Sequence, residues 1–181
     1  MAHVILGLLL LTPQSQYDLI KNFEAGVALL YSASSGSIKR ALDVLLGQEL
    51  IEVASMEPRG RGKKVYRTTA AGREEFHRWM TDELRGSDLE AAVLPRLFFL
   101  GLLQPDERQP VLRRIQQRAA ADLAALEALH ARVAAVAVPD ELRHVATYQR
   151  LTLDYGIATG RHALAWFTDL ADGDQSPASE R

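Results

Sequence analysis

Between Arg59 and Arg67 the chain carries five cations, Arg59, Arg61, Lys63, Lys64 and Arg67, and no acid. Four of them stand on or beside Pro58-Arg59-Gly60-Arg61-Gly62-Lys63, a turn punctuated by Pro and Gly that must be exposed. Like charges concentrated this way suit one chemistry above others, the capture of phosphate groups. A second group lies upstream, where Ser34-Ser35-Gly36-Ser37 runs into Lys39 and Arg40. Serine hydroxyls at such a place cap a helix start, and the two cations that follow are hydrogen-bond donors. A basic turn on its own reads as a solvated loop. Its position directly after a capped amphipathic helix favours ligand contact instead.

The elements that position these groups follow from periodicity. Ile38, Leu42, Leu45 and Leu46 recur as i, i+4, i+7 and i+8, the buried stripe of a helix. Arg40 points directly away from that stripe, flanked by Ser37, Lys39 and Val44. Gly47 and Gln48-Glu49 close the helix, Leu50–Ala54 reads as a short strand and Lys64–Thr68 as a second. Helix, strand, basic turn and strand make the layout of a winged helix-turn-helix, the helix entering the major groove of duplex DNA and the turn acting as wing. The candidate DNA-contacting residues are therefore Ser35, Ser37, Lys39 and Arg40 on the helix, with Arg59, Arg61, Lys63, Lys64 and Tyr66 on the wing and its strand.

Ahead of this stretch, His3–Leu11 is apolar almost all round and reads as a buried helix, broken by Thr12-Pro13. Ser15-Gln16-Tyr17-Asp18 caps a second helix to about Glu24, with Tyr17, Leu19, Ile20 and Phe23 expected to face inward and Gly26 to end it. Thr69-Ala70-Ala71-Gly72 starts a fourth helix carrying Phe76, Trp79 and Met80.

Taken together, Thr12-Pro13-Gln14-Ser15-Gln16-Tyr17-Asp18-Leu19, the Gly36-Ser37-Ile38 helix start, and Tyr66-Arg67-Thr68-Thr69-Ala70-Ala71-Gly72 with Trp79 resemble PadR-type transcriptional regulators. Arg96-Leu97-Phe98-Phe99-Leu100 before Pro105, and Tyr155-Gly156-Ile157 before Trp166-Phe167, extend the resemblance over nearly the whole chain, toward the longer members with several C-terminal helices. The motifs' order and spacing carry it. The family usually has Tyr-Pro where this chain has Lys39-Arg40, and Gly where it has Gln16. The first difference replaces a stacking pair with two cations on the groove-facing helix. The resemblance implies DNA binding, and responsiveness to a small aromatic or amphipathic effector such as a phenolic acid or a drug-like compound.

Past Trp79 the composition shifts. Residues 1–81 read as the winged-helix domain, 82–88 as a polar hinge, 89–171 as a helical dimerisation or effector domain, and 172–181 as a disordered tail. Leu89–Leu103 is helical around Pro95, and Gln104-Pro105-Asp106-Glu107 opens a long helix with acids at its positive end. Leu112, Ile115, Ala119, Asp122, Leu126, Leu129, Val133 and Val136 form a heptad seam, which pairs helices within or between chains. Pro139 breaks that helix, and a last one runs from about Asp140 to Asp169. It shows a polar stripe of Arg143, Arg150, Asp154 and Arg161, Arg150 and Asp154 being an i,i+4 pair. A core stripe comprises Leu142, Ala146, Leu153, Ile157, Ala163, Leu164 and Phe167. A third line of Tyr148, Tyr155 and Trp166, beside Thr159, is the candidate dimer contact or effector pocket.

The totals bound the rest. A net charge of −2 divides into ten Lys/Arg against eight Asp/Glu over residues 1–80 and eleven against fifteen beyond, so the cations concentrate where a phosphate contact is expected. With no cysteine there is no thiolate site or disulfide framework, which suits a cytoplasmic protein. Val4–Leu11 mimics a signal-peptide core but lacks preceding cations and a following small-x-small site, and no apolar run reaches membrane-span length. Five scattered histidines show no metal-ligand spacing, and no nucleophile elbow, phosphate loop or dinucleotide fingerprint occurs. No catalytic, metal or cofactor residue is assigned. The expectation is a mainly helical protein with a small β wing, binding a palindromic operator as a homodimeric repressor. A winged-helix protein-interaction module, or a small-molecule binder without DNA activity, is the alternative.

Overall fold

A computed structural model describes residues 1–25, 34–56 and 64–173. The chain packs as two compact units, residues 1–107 and 108–181. The boundary thus falls well beyond the 82–88 segment expected as the hinge.

The first unit begins with α1 (Ala2–Leu11), whose residues Val4 to Leu9 are all buried, as an all-round apolar helix requires. A two-residue strand, β1 (Gln14–Ser15), follows and leads directly into α2 (Gln16–Ala25). Ser15 and Asp18 cap α2 reciprocally: the Ser15 amide and hydroxyl donate to Asp18 Oδ2 (3.3 and 2.6 Å), and the Asp18 amide donates to Ser15 Oγ (3.3 Å). Leu19 and Phe23 are buried, but Tyr17 is 61% exposed and lies under the Lys21 ammonium, 4.8 Å from the ring centroid, rather than facing inward. Next come α3 (Ser35–Gly47), β2 (Ile51–Met56), β3 (Lys64–Thr68) and α4 (Ala70–Thr81).

The three strands form one antiparallel sheet in the order β1-β3-β2. β1 escapes sequence pattern because two residues show no alternation. Gln14 is buried there with both ends of its amide used, donating to Leu8 O (2.9 Å) and accepting from Asn22 Nδ2 (2.6 Å). β2 and β3 pair from Ile51↔Thr68 to Met56↔Lys64, with an irregularity between Val53 and Ser55 that bulges Ala54 and twists the hairpin.

After Asp82–Asp88, α5 (Leu89–Phe98), capped by Asp88, also belongs to the first unit. The Arg96 side chain is buried, donating from Nε to Trp79 O (3.0 Å) and from Nη1 to Ala92 O (2.6 Å), with its guanidinium over the Trp79 indole at 4.5 Å. His3 stacks on the same indole, 4.9 Å between centroids and 3° between planes, while its Nε2 meets Glu75 (2.9 Å). Gly7 admits the Phe99 ring, which a Cβ would meet at 2.8 Å. These contacts explain why α5 joins the winged-helix unit.

The second unit is an antiparallel helix pair made from α6 (Pro105–Ala134), from Arg108 onward, and α7 (Arg143–Asp172). Arg113–Asp172 (2.7 Å), Gln116–Thr168 (3.1 Å), Glu127–Arg161 (2.7 Å) and His130–Asp154 (3.3 Å) mark the register, and Gly160 lets Leu123 approach. Part of the heptad seam is therefore satisfied within one chain: Leu112, Ile115 and Ala119 are buried. At the next step Leu123 is buried, and Asp122, expected on the seam, is drawn into an ion pair with Arg118 (2.9 Å). Asp154 pairs with His130 rather than Arg150, because α6 presents that imidazole across the helix pair. Leu142, expected in the core, precedes α7 in a 3-10 turn (Asp140–Leu142) and is half exposed. No helix among the described residues is long and apolar enough to cross a membrane.

Candidate nucleic-acid interface

The candidate recognition helix is fixed at both ends. At its start the Ser34 hydroxyl accepts from the Ser37 amide (3.2 Å), and Ser37 Oγ accepts from the Ser34 amide (3.0 Å) while donating to Ser34 O (2.7 Å). This is a capping box with serine in the place usually held by Glu or Gln. It uses the Ser37 hydroxyl, so among the predicted serines only Ser35 is left clear of the cap's hydrogen bonds. At its end Glu49, at φ 57°, turns the chain through a Schellman arrangement, the Glu49 and Leu50 amides donating to Leu46 O and Leu45 O (both 3.0 Å). Ile38, Leu42 and Leu45 are buried, and Lys39, Arg40, Asp43 and Val44 are exposed on the rest of the surface. The sequence-predicted orientation of Arg40, away from the buried stripe, is the observed one.

On the hairpin, Lys64 is exposed at the start of β3. Arg59, Arg61 and Lys63 lie outside the described residues. Arg67 is already engaged, its Nε donating to Glu52 across the strands (2.6 Å). Tyr66 differs from expectation. It is only 8% exposed, paired between Gln14 and Val53, so its ring belongs to the core of the sheet and not to an outer surface. Burial, with the Asp43 carboxylate adding to it, pushes the phenol pKa up and keeps it protonated. Its spacing alternates correctly for a buried strand position, a signal the β pattern carries and the charge pattern hides.

In the second unit, Tyr148 is 71% exposed, Tyr155 72% and Trp166 46%. Thr159 beside them spends its hydroxyl on its own helix, donating to Tyr155 O and Gly156 O. The first unit also holds a cleft of about 570 Å³, walled by Met1, His3, Trp79, Asp88 and Arg96, which no sequence pattern announces.

Residues 5–78 match the transcriptional regulator PadR-like family. Through them the chain belongs to the PadR-like family. Residues 92–172 match a second model, the virulence activator alpha C-terminal domain. A probable transcriptional regulator of Mycobacterium tuberculosis is 27% identical over 186 residues, 96% of both chains being covered. Solved structures similar to this PadR-like chain include Bacillus subtilis PadR in complex with operator DNA (21% identical, TM-score 0.43, covering 94% of this chain and 95% of that one). A PadR-like transcriptional regulator from Bacillus cereus is 25% identical (TM-score 0.41, 94% and 93% covered). The virulence activator AphA of Vibrio cholerae is 22% identical (TM-score 0.42, 94% and 95% covered). The winged-helix architecture and the family together make this chain a PadR-family transcriptional regulator.

Proposed function

We propose that this PadR-like chain is a cytoplasmic, homodimeric repressor that binds a palindromic DNA operator and is released by a small aromatic or amphipathic effector. The observation that carries the DNA-binding reading is α3 itself: a helix capped at its start, buried along Ile38, Leu42 and Leu45, with Lys39 and Arg40 on its free face. Arg40 reads a guanine through its fork of donors, Lys39 and Ser35 hold neighbouring phosphates, and Lys64 with the wing cations Arg59, Arg61 and Lys63 adds affinity indifferent to sequence. Tyr148, Tyr155 and Trp166 provide the dimer contact or an effector surface beside it.

Selection of bound sequences from a random duplex pool tests this directly. The wild type should enrich a two-fold symmetric sequence, and Arg40→Ala should relax the preference at one position of each half-site, a discrimination of about 1–3 kcal/mol. No enrichment by the wild type would favour the protein-interaction module instead. Quenching of Trp166 fluorescence by phenolic acids, read in a Trp79→Phe background, tests the effector.

A further inference from the structure

Arg40, Asp43, Val44 and Gly47 follow one another on the free side of α3 at i, i+3, i+4 and i+7, within about 100° of arc. Val44 is 53% exposed, and at Gly47 an added Cβ would meet nothing within 4 Å. Neither residue serves the helix. A β-branched side chain loses rotamer freedom there and glycine loses the most backbone entropy, so Leu, Lys or Ala would all support it better. Neither packs into the core, which Ile38, Leu42 and Leu45 fill from the opposite side.

What the two residues share is a low profile. Past Arg40 this face carries no side chain longer than Asp or Val, so the backbone can sit deep in a groove while Arg40 reaches ahead of it. An exposed isopropyl group at such depth cannot hydrogen-bond. The one apolar group that base edges present in the major groove is the thymine 5-methyl. Four residues of helix advance about 6 Å, against a base-pair rise of about 3.4 Å, so Val44 stands one to two base pairs along from Arg40.

Resting on α3 as the recognition helix, we propose that Val44 selects a thymine, through its 5-methyl group, one to two base pairs from the guanine that Arg40 reads. The specificity of this helix is then a guanine set by hydrogen bonds and a nearby thymine set by an apolar contact.

The experiment uses the full-length protein and the duplex it selects. Each thymine of the half-site is replaced in turn by deoxyuridine, which keeps the pairing edge and the O4 acceptor and removes only the methyl. At one position beside the guanine that Arg40→Ala relaxes, the wild type should lose about fourfold in affinity per half-site, the worth of one methyl-sized group. Val44→Ser should bind the thymine and uracil duplexes alike, with an unchanged melting temperature. Val44→Asn, of similar size but without a methyl group, carries the same comparison if Val44→Ser folds poorly. Sequence-selective binding that is indifferent to uracil everywhere, or uracil sensitivity that both variants retain, overturns the role of Val44 and leaves α3 as the recognition helix. A wild type that selects no duplex overturns both.

Discussion

Glu49 holds a backbone conformation that glycine adopts freely and a residue with a Cβ does not, at φ 57°. Its surroundings leave it no choice. The Schellman hydrogen bonds close α3 through the amides of Glu49 and Leu50, the Thr69 hydroxyl donates to Glu49 O (2.7 Å), and the Thr69 amide donates to Leu50 O (3.1 Å). Gly72, in the first turn of α4, comes so close that an added Cβ would stand 2.0 Å from Leu50 O. One corner therefore joins the end of α3 to the start of β2 and the start of α4, and the orientation of α3 depends on it. Glu49→Gly should relieve the left-handed strain without disturbing those bonds. Part of the gain is returned as chain entropy of the unfolded state, leaving a net stabilisation of about 0.5–1 kcal/mol. Urea unfolding of the two proteins measures it, and a less stable variant would show that the Glu49 side chain contributes more than its backbone costs.

At the scale of elements, the join between α1, α4 and α5 is built around a titratable residue. Burial lowers the His3 pKa from its ordinary 6.5, opposed by the hydrogen bond and charge of Glu75. A histidine value lower in the folded than in the unfolded state means the folded protein binds fewer protons between the two. Stability is then full above the unfolded value and declines as pH falls through 6.5 toward the folded one. Glu107, held below the usual carboxylate range by the His77 hydrogen bond and the Gln104 amide, acts in a more acidic window. His3→Phe keeps a ring against Trp79 and removes the titration, while Glu75 retains Arg78 (2.6 Å). Melting temperature plotted over about pH 5–7 should rise less steeply in that variant than in the wild type; equal slopes would assign the acid sensitivity elsewhere.

The same elements show what a linear pattern can convey. α1, α3, β3 and α4 are legible to within a residue or two: α1 as an unbroken apolar run, β3 as a short strand between a Gly-rich turn and a cap, and α3 and α4 by an apolar period with a capping side chain, Ser34 for α3 and Thr69 for α4. The outward direction of Arg40 is legible for the same reason. β1 is not, since Gln14 and Ser15 become a strand only when β3 lies beside them. Nor is the attachment of α5 to the first unit, which depends on Arg96 reaching back to Trp79 O across seventeen positions of sequence. Tyr17 and Tyr66 exchange their expected places because an amphipathic aromatic ring suits either side of a surface, and the tertiary contacts decide.

At the scale of the whole molecule, the helix pair of the second unit buries Ile157, Phe167 and Ala171 of α7 but leaves a separate apolar line in solvent. Tyr148, Leu151, Tyr155 and Trp166 stand more than 45% exposed along it, with Val145 near its start. Rings that bury this much surface when covered, repeated along a thirty-residue helix, exceed the scattered apolar residues of an ordinary monomer surface. A two-fold axis against this face would cover it with itself, since each copy presents the same line. Such an axis would also bear on DNA binding, because two α3 helices held by it would read two half-sites, their centres about one helical turn or a multiple of it apart. The wild type should therefore scatter light as a dimer at micromolar concentration. Replacing Tyr148, Tyr155 and Trp166 together by Ser should shift it to a monomer with the same helical content, because none of the three is buried within its own chain. Such a monomer should still bind duplex at low salt but lose its advantage for a palindrome over a single half-site. A triple variant that stays dimeric and keeps the palindrome preference would place the axis on another face.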